Sequence, residues 1–154
     1  MFWFQVVLLS EFIENFWVLN RKKINTLSLD LINRIKSIAK NDTSLNKGEL
    51  LFKEGDKNEY IYLIEKGEVA LVKKNNNKNV EVMNQHEGEI VGIDLIFNEK
   101  ECEYTALVTE PTKLYKVLIS DFKDFLSLNN NSSLELLKYI SSLINKMENQ
   151  AVNG

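Results

Sequence analysis

The segment that decides the fold is residues 60–93, YIYLIEKGEVALVKKNNNKNVEVMNQHEGEIVGI. Its runs of alternating apolar and polar residues are separated by Gly67, by three asparagines at 75–77 and by Gly88. A period of two is typical of β-strands, and Asn tolerates the left-handed backbone that a tight hairpin turn needs. The segment therefore predicts a series of short strands with a hairpin tip at residues 75–77.

The same alternation continues on both sides of this segment. Runs rich in Val, Ile, Leu and Tyr predict strands at 49–53, 60–65, 68–73, 79–83, 89–93, 105–108 and 113–119. Seven or eight short strands in about seventy residues are typical of a sandwich, a barrel or a jelly roll. The sequence thus predicts a mainly β domain.

Helical patterns flank the β-rich region. Apolar residues with a 3.6-residue period predict a short packed helix from Leu27 to Ala39, which a polar break at residues 41–46 ends. A second helix is predicted at 121–128. Ser132, with Glu135 three residues later, matches a capping box and predicts the start of a last helix.

The last helix carries an apolar stripe at spacings of three and four, widened by Leu136 and Leu143. Such a stripe is typical of a coiled-coil seam, although the core-facing side of a monomer's helix can carry it too. One side of the helix could pack on the roll while the other meets a partner. We expect a dimerisation stripe of Leu137, Ile140, Ile144, Met147 and Ala151.

The N-terminus is apolar from residue 1 to 9 apart from Gln5. A signal peptide requires basic residues before its apolar stretch, and none precedes this one. A membrane span requires about 20 consecutive apolar residues, but Ser10, Glu11 and Glu14 interrupt this stretch much earlier. We expect an amphipathic helix that covers the domain or a partner. Interfacial membrane attachment and an upstream extension of the natural start are the alternatives.

The composition excludes several classes of protein. The 154 residues are 44% hydrophobic and 27% charged, with one proline and six glycines, which excludes low-complexity disorder and suits one globular domain. The net charge of −3 provides no general attraction to DNA. Cys102 is the only cysteine and His86 the only histidine, so an internal disulfide and a Cys/His zinc site are excluded. A reducing, cytoplasmic setting is expected.

Five glycine turns, in order and with strand patterns between them, carry a family resemblance. From residue 27 to 128 the chain resembles the cyclic nucleotide-binding domain of Crp/Fnr-type transcription regulators. The resemblance implies a double-stranded β-helix, or jelly roll, and a final helix similar to that family's dimerisation helix. The turns that carry it are Lys47-Gly48-Glu49, Glu54-Gly55-Asp56, Lys66-Gly67-Glu68, the glycine at 88 and Gly92.

The resemblance also locates a ligand-binding cassette, from which this chain departs. In the family a Glu after a glycine holds the ribose hydroxyl, and an Arg followed by Ser or Thr neutralises the cyclic phosphate. Here Ile93 stands at the Glu position. The Arg position falls on Cys102, or on Tyr104 in a register shifted by two residues. The implied effector pocket is degenerate and comprises Val91, Gly92, Ile93, Asp94, Leu95, Cys102, Glu103, Tyr104 and Thr105.

The charges around this cassette oppose phosphate binding. A buried phosphate is normally held by a guanidinium, and the only arginines are Arg21 and Arg34 in the N-terminal region. Three glutamates within residues 99–103 add negative charge. Lys100 is a weak substitute because an ammonium does not match the bidentate geometry of an arginine.

The sequence offers no catalytic or cofactor-binding constellation. His86 stands in a polar loop, and the glutamates beside Cys102 raise the pKa of its thiol, which argues against a reactive thiolate. Some members of the resembled family bind haem through a His or Cys, but no other residue marks a haem pocket. We therefore expect no enzymatic activity, no cofactor and no metal.

The sequence divides into an apolar helical extension at 1–23, a jelly roll at 24–128 and a dimerisation helix at 129–154. The expected function is a non-catalytic sensory and dimerisation domain: a homodimer with a degenerate cyclic nucleotide site and an unknown small-molecule effector. One alternative is a true cyclic AMP or cyclic GMP receptor with an unorthodox pocket. Another is a protein-interaction or membrane-associated adaptor that works through the N-terminal segment.

The family's winged helix-turn-helix is missing from the 154 residues, so we expect no DNA binding by this chain alone. The chain is then either the sensory half of a longer regulator or a stand-alone domain. Membrane binding is not favoured.

Overall fold

The computed structural model describes residues 27–96 and 101–153, with the side chains of the last helix as far as Lys146. The expected N-terminal extension at 1–23, together with Lys100 and the side chains of Met147 and Ala151, lies outside the described residues. The elements are α1 (Leu29–Ile38), β1 (Asn41–Leu45), β2 (Leu50–Phe52), β3 (Tyr60–Lys66), β4 (Val69–Asn75), β5 (Lys78–Gln85), β6 (Ile90–Val91), a 3-10 helix (Ile93–Ile96), β7 (Thr105–Val108), β8 (Thr112–Leu118), α2 (Ile119–Leu128) and α3 (Asn130–Asn153).

Two four-stranded antiparallel sheets form the roll. One sheet has the order β1-β8-β3-β6 and the other the order β2-β7-β4-β5. The chain changes sheet at every connection between strands except β4–β5, so that the strands wind around one core. The predicted mainly β jelly roll is confirmed.

The core fills the space between the sheets and extends under the helices. Residues 61–64 of β3 are all buried, so both faces of this strand are covered. Helix α1 contacts β3 and β8 through its buried face, and α3 contacts β5. The core residues of α3 are Leu136, Tyr139 and Leu143.

The sequence pattern did not predict one of the strands. Residues 41–46 were expected to be a polar break, but Asn41–Leu45 pairs with β8 at the edge of its sheet, from Asn41 opposite Lys116 to Leu45 opposite Thr112. An edge strand is held by backbone hydrogen bonds on one side, and its exposed side chains need no apolar alternation. The polar composition therefore concealed the strand.

The predicted capping box at Ser132 is wrong. Helix α3 begins at Asn130, and Ser132 is buried inside its first turns. The Glu135 carboxylate instead accepts hydrogen bonds from the Ser28 backbone N–H (2.6 Å) and the Ser28 hydroxyl (3.0 Å). Ser28 caps α1 by accepting from the Leu31 N–H at 3.2 Å, so Glu135 ties the last helix to the start of the first one.

The predicted turns have the backbone that was expected. Asn76 and Asn77 at the hairpin tip have φ of 52° and 65°. The five glycines of the signature turns also have positive φ. Gly67 is the most constrained, because a Cβ there would overlap the Thr112 hydroxyl and the Pro111 carbonyl oxygen. This close approach lets the Thr112 hydroxyl accept a hydrogen bond from the Glu68 N–H at 3.1 Å.

We predict that Gly67→Ala destabilises the domain far more than Gly48→Ala. Both glycines have positive φ, but no atom lies within 4 Å of a Cβ built at Gly48. Gly48→Ala should therefore cost about 1 kcal/mol of backbone strain, whereas Gly67→Ala adds a steric clash and should cost about 3 kcal/mol or more. Urea unfolding at one fixed protein concentration measures both variants. Equal losses would show that the Thr112 contact is unimportant.

Candidate functional site

A sharp turn after β6 builds one wall of the site. Gly92, with φ of 86°, reverses the chain, and the Leu95 N–H donates to the Gly92 carbonyl at 3.0 Å to open the 3-10 helix. The expected strand at 89–93 is therefore shortened to Ile90–Val91. Ile93 and Leu95 are buried, whereas Asp94 is exposed at the surface of the turn.

A cavity of about 510 Å³ lies between this turn, strands β4 and β5, and helix α3. Most of its wall is aliphatic. Its lining residues are Leu71, Met83, Gln85, Ile90, Gly92, Ile93, Asp94, Glu103, Tyr104, Ile140, Leu143 and Ile144.

Five of the nine residues expected in the effector pocket line this cavity: Gly92, Ile93, Asp94, Glu103 and Tyr104. The others do not line it. Val91, Leu95 and Cys102 are buried, and the Thr105 hydroxyl accepts a hydrogen bond from the Glu54 N–H at 3.0 Å. Of the two residues expected at the Arg position, Tyr104 lines the cavity, whereas Cys102 lines an adjoining depression.

The sequence missed the cavity residues that come from distant elements. Met83 and Gln85 lie on β5, and Ile140, Leu143 and Ile144 lie on α3. The two-residue spacing of Met83 and Gln85 could have indicated one shared face of a strand. No local signal shows which helix closes the cavity, since that depends on where α3 docks.

The charges at the cavity are negative. Asp94 and Glu103 are the charged lining residues, and no described lining residue carries positive charge. Partial desolvation raises the pKa of the Asp94 carboxyl, and the nearby Glu103 carboxylate adds to the shift. Arg34, the arginine among the described residues, is held elsewhere by Asp30 (3.1 Å) and Asn129 (3.3 Å).

A shallow depression of about 690 Å³ adjoins the cavity at Glu103. Two lysines, Lys57 and Lys73, and three glutamates line it, so the net charge of its lining is also negative. The Lys73 ammonium lies 5.8 Å from the centre of the Tyr104 ring. The glutamates are Glu54, Glu101 and Glu103.

Polar side chains join the cavity floor to α3. The Ile90 N–H donates to the Tyr139 hydroxyl at 2.9 Å, and the Gln85 Nε2 donates to the Ile90 carbonyl at 3.0 Å. Burial, aided by the Glu89 carboxylate, raises the pKa of the Tyr139 phenol, which is therefore neutral. The Gln85 Oε1, in a side chain that is only 2% exposed, has no hydrogen-bond partner among the described residues.

Glu89 is a buried carboxyl beside this network, 4% exposed. Burial raises its pKa, against the opposing effects of the His86 backbone N–H, which donates to Glu89, and of Lys146. His86 itself is exposed in the turn, with its Nδ1 3.8 Å from Glu68. The effect of burial on the pKa of this carboxyl thus outweighs the attraction of Lys146.

Cys102 is a buried free thiol. Burial raises its pKa to about 11, and the carboxylates of Asp94 and Asp56 add to the shift. The direction agrees with the prediction from its acidic neighbours, but the main cause is burial. In the part of the chain that the structure describes, no group of His, Cys, Asp and Glu is placed to hold a metal ion, and no helix is long and apolar enough to cross a membrane.

The last helix has two apolar faces. Leu136, Tyr139 and Leu143 are buried against the roll, whereas Leu137 is 55% exposed and Ile144 is 50% exposed. Ile140, a member of the expected dimer stripe, is half-buried and packs against the core.

Comparisons with known proteins agree with this fold. The family model described as cyclic nucleotide-binding domain matches residues 42–129. The solved catabolite activator protein of Thermus thermophilus is 17% identical with a TM-score of 0.69, and the match covers 81% of this chain and 59% of that one. The regulator CLP of Xanthomonas campestris, described as c-di-GMP responsive, is 15% identical with a TM-score of 0.71, and the match covers 80% and 61%.

A cyclic nucleotide-binding domain from Methylobacillus flagellatus is 17% identical with a TM-score of 0.69, and the match covers 84% of this chain and 77% of that one. No curated protein sequence matches the chain. The chain spans less than two thirds of the length of the Thermus and Xanthomonas proteins.

We predict that Tyr139→Phe destabilises the domain by about 1–3 kcal/mol, because the buried Ile90 N–H loses its acceptor. Tyr115→Phe is the matched control, since Tyr115 is a half-buried tyrosine on β8 whose ring contacts lysines. Urea unfolding compares the two variants. A loss in the control as large as that in Tyr139→Phe would contradict the assigned role.

Glu89→Gln should change how stability depends on pH. A raised pKa in the folded state means that the folded protein holds the proton more tightly than the unfolded chain. The protonated carboxyl therefore adds to the stability of the fold when the pH is below 4.5, its ordinary pKa. This added stability is lost as the pH rises through the raised pKa of the folded state. The stability of Glu89→Gln relative to the wild type should therefore increase with pH across that window, and each tenfold difference in proton affinity between the two states corresponds to about 1.4 kcal/mol.

Urea unfolding of both proteins at a series of pH values tests this expectation. Glu87→Gln, at an exposed neighbour in the same turn, is the control for loss of one negative charge. A difference between Glu89→Gln and the wild type that does not change with pH would show that the carboxyl is not penalised by burial.

Proposed function

Because the chain belongs to the cyclic nucleotide-binding domain family, we propose that it is a non-catalytic sensory and dimerisation domain whose effector is neither cyclic AMP nor cyclic GMP. The observation that carries this proposal is the cavity wall, where Asp94 and Glu103 are the charged residues. A cyclic phosphate would meet two carboxylates there and no described cation. Repulsion between like charges opposes its binding.

The ribose contact is also lost. Ile93, which stands where the family has its ribose-binding Glu, is a buried aliphatic residue of the cavity wall. A ribose hydroxyl placed against it would lose its hydrogen bonds to water without replacement. Both halves of a cyclic nucleotide are therefore poorly matched, which supports a different effector.

The position of α3 supports a sensory role. Ile140, Leu143 and Ile144 of α3 form one side of the cavity, so an occupant would touch the roll and the helix together. A ligand that binds better to one position of α3 shifts the population toward that position. We propose that the signal leaves the domain through this helix.

The outer face of α3 supports a homodimer. Leu137 and Ile144 are exposed apolar residues one heptad apart, and Leu134 lies one turn before Leu137 with 57% exposure. Because a different row of apolar residues packs on the roll, this exposed row is available to contact a second helix. A twofold axis between two copies would pair each residue with its own counterpart. Half-buried Ile140 would border this contact.

The solved neighbours support a proposal about the wider setting of the domain. The solved neighbours include a catabolite activator protein and a global regulator, and this chain spans only part of each. We propose a cytoplasmic role in transcription regulation in which DNA binding belongs to a further domain. The Xanthomonas regulator is described as c-di-GMP responsive, so signals other than cyclic AMP and cyclic GMP occur among proteins of this fold.

We predict that titration calorimetry detects no micromolar binding of cyclic AMP or cyclic GMP. The double variant Ile93→Glu/Tyr104→Arg should create measurable binding, because it restores both contacts at residues that line the cavity. Ile93→Glu/Cys102→Arg is the control. Cys102 does not line the cavity, so this double variant should bind neither nucleotide. Tight binding by the wild type would establish the alternative, a true receptor with an unorthodox pocket.

We predict that Leu137→Glu/Ile144→Glu converts a dimer into a folded monomer. Burial of each large apolar side chain in the contact contributes about 1.5–3 kcal/mol, which the charged replacements remove. Leu128→Glu, at an exposed leucine that ends α2, should leave the dimer intact. Light scattering with circular dichroism measures both variants, and a wild type that is monomeric at tens of micromolar would refute the dimer.

A further inference from the structure

We propose that the effector of the central cavity is a hydrophobic amine, with its apolar body inside the cavity, a hydrogen-bond donor on the Gln85 Oε1 and its ammonium group facing Asp94 and Glu103. This inference deepens the proposed function and rests on it. Three independent features of the cavity carry it.

The first feature is the size and apolar character of the cavity. Seven of its twelve lining residues are aliphatic or Met, and they come from both the roll and α3. A volume of about 510 Å³ suits a molecule of one or two rings. Such walls favour an apolar body and provide no hydrogen bonds for a sugar.

The second feature is the unpaired acceptor on Gln85. Its Nε2 donates to the Ile90 carbonyl, which determines the orientation of the amide and leaves the Oε1 as the free end. This oxygen is buried and has no partner among the described residues, although Gln85 lines the cavity. A buried acceptor without a donor is costly, so an N–H or O–H on a ligand that reaches the Oε1 would be favoured there, in competition with the Tyr139 hydroxyl, which also interacts with the Gln85 side chain.

The third feature is the pair of carboxylates. Asp94 and Glu103 both line the cavity, and both are exposed to solvent. The pKa of Asp94 is raised mainly by desolvation, and the Glu103 carboxylate adds to the shift. An ammonium group at this wall would be attracted to both carboxylates. The lysines of the adjoining depression, Lys57 and Lys73, do not line the cavity and are outnumbered by glutamates.

The charge preference can be tested with three indoles of one skeleton on the full chain. Tryptamine is cationic, tryptophol is neutral and indole-3-propionate is anionic at neutral pH. Titration calorimetry at low salt should rank them in that order, with tryptamine about tenfold tighter than the propionate or better. In Asp94→Asn/Glu103→Gln the ratio should fall to about one, whereas Glu110→Gln, in the turn between β7 and β8, should preserve it.

The donor is tested by replacing the indole N–H of tryptamine with sulfur. The benzothiophene analogue has the same shape and charge, and it should bind about fivefold to tenfold more weakly because it leaves the Gln85 Oε1 unpaired. Gln85→Met keeps the volume and should abolish this difference. If Gln85→Met does not fold, the comparison of the two amines on the wild type still decides the point.

The outcomes separate this inference from the proposed function. Equal or tighter binding of indole-3-propionate, or no binding of any indole at millimolar concentration, overturns the amine proposal. If cyclic AMP and cyclic GMP also fail to bind, the proposed function stands in either case. Micromolar binding of a cyclic nucleotide overturns the proposed function itself.

Discussion

The hydrogen bond from the Ile90 N–H to the Tyr139 hydroxyl is the interaction on which the rest of the site depends. Both groups are buried, and the bond is made inside an apolar contact that also buries Leu136 and Leu143. It holds α3 on the strand that leads into the Gly92 turn. Without that placement the cavity would lack the wall formed by α3 and would be an open groove on the roll. An unpaired donor at this depth would be costly, so the bond also selects a single docked position for the helix.

Loss of one guanidinium changes what a jelly-roll pocket can bind. With an arginine at the wall, phosphate is attracted strongly enough to offset the loss of its hydration. Tyr104 and Glu103 line the cavity here, and under the function that we propose this wall would favour apolar and cationic groups. The chain would then keep the family's fold while the chemistry of its site is different. Fold and ligand class would then be specified by different side chains, since the turn glycines themselves contribute no charge to the cavity.

Ile144 connects the two roles of the last helix. It lines the cavity and is still half exposed on the outer face, beside Leu137. A ligand that presses on Ile144 would therefore alter the surface proposed to meet a second copy. Glu135 adds a second restraint, because its bonds to Ser28 tie the start of α3 to α1. Movement of α3 would have to strain or break these contacts, so the start of the helix is firmly attached to α1.

The sequence by itself determined the roll, because its signals are local: strand alternation, the asparagine hairpin at Asn76 and Asn77, and glycines whose positive φ each turn requires. It also predicted a pocket that includes Gly92, Ile93 and Asp94, which line the cavity. Only the tertiary structure showed that Asn41–Leu45 is a strand and that Glu135 bonds Ser28 instead of capping its own helix. Only the tertiary structure brought Gln85 and Ile140 to one cavity. These features are contacts between residues distant in the chain, and their free energy depends on how the elements dock, which no local pattern of side chains records.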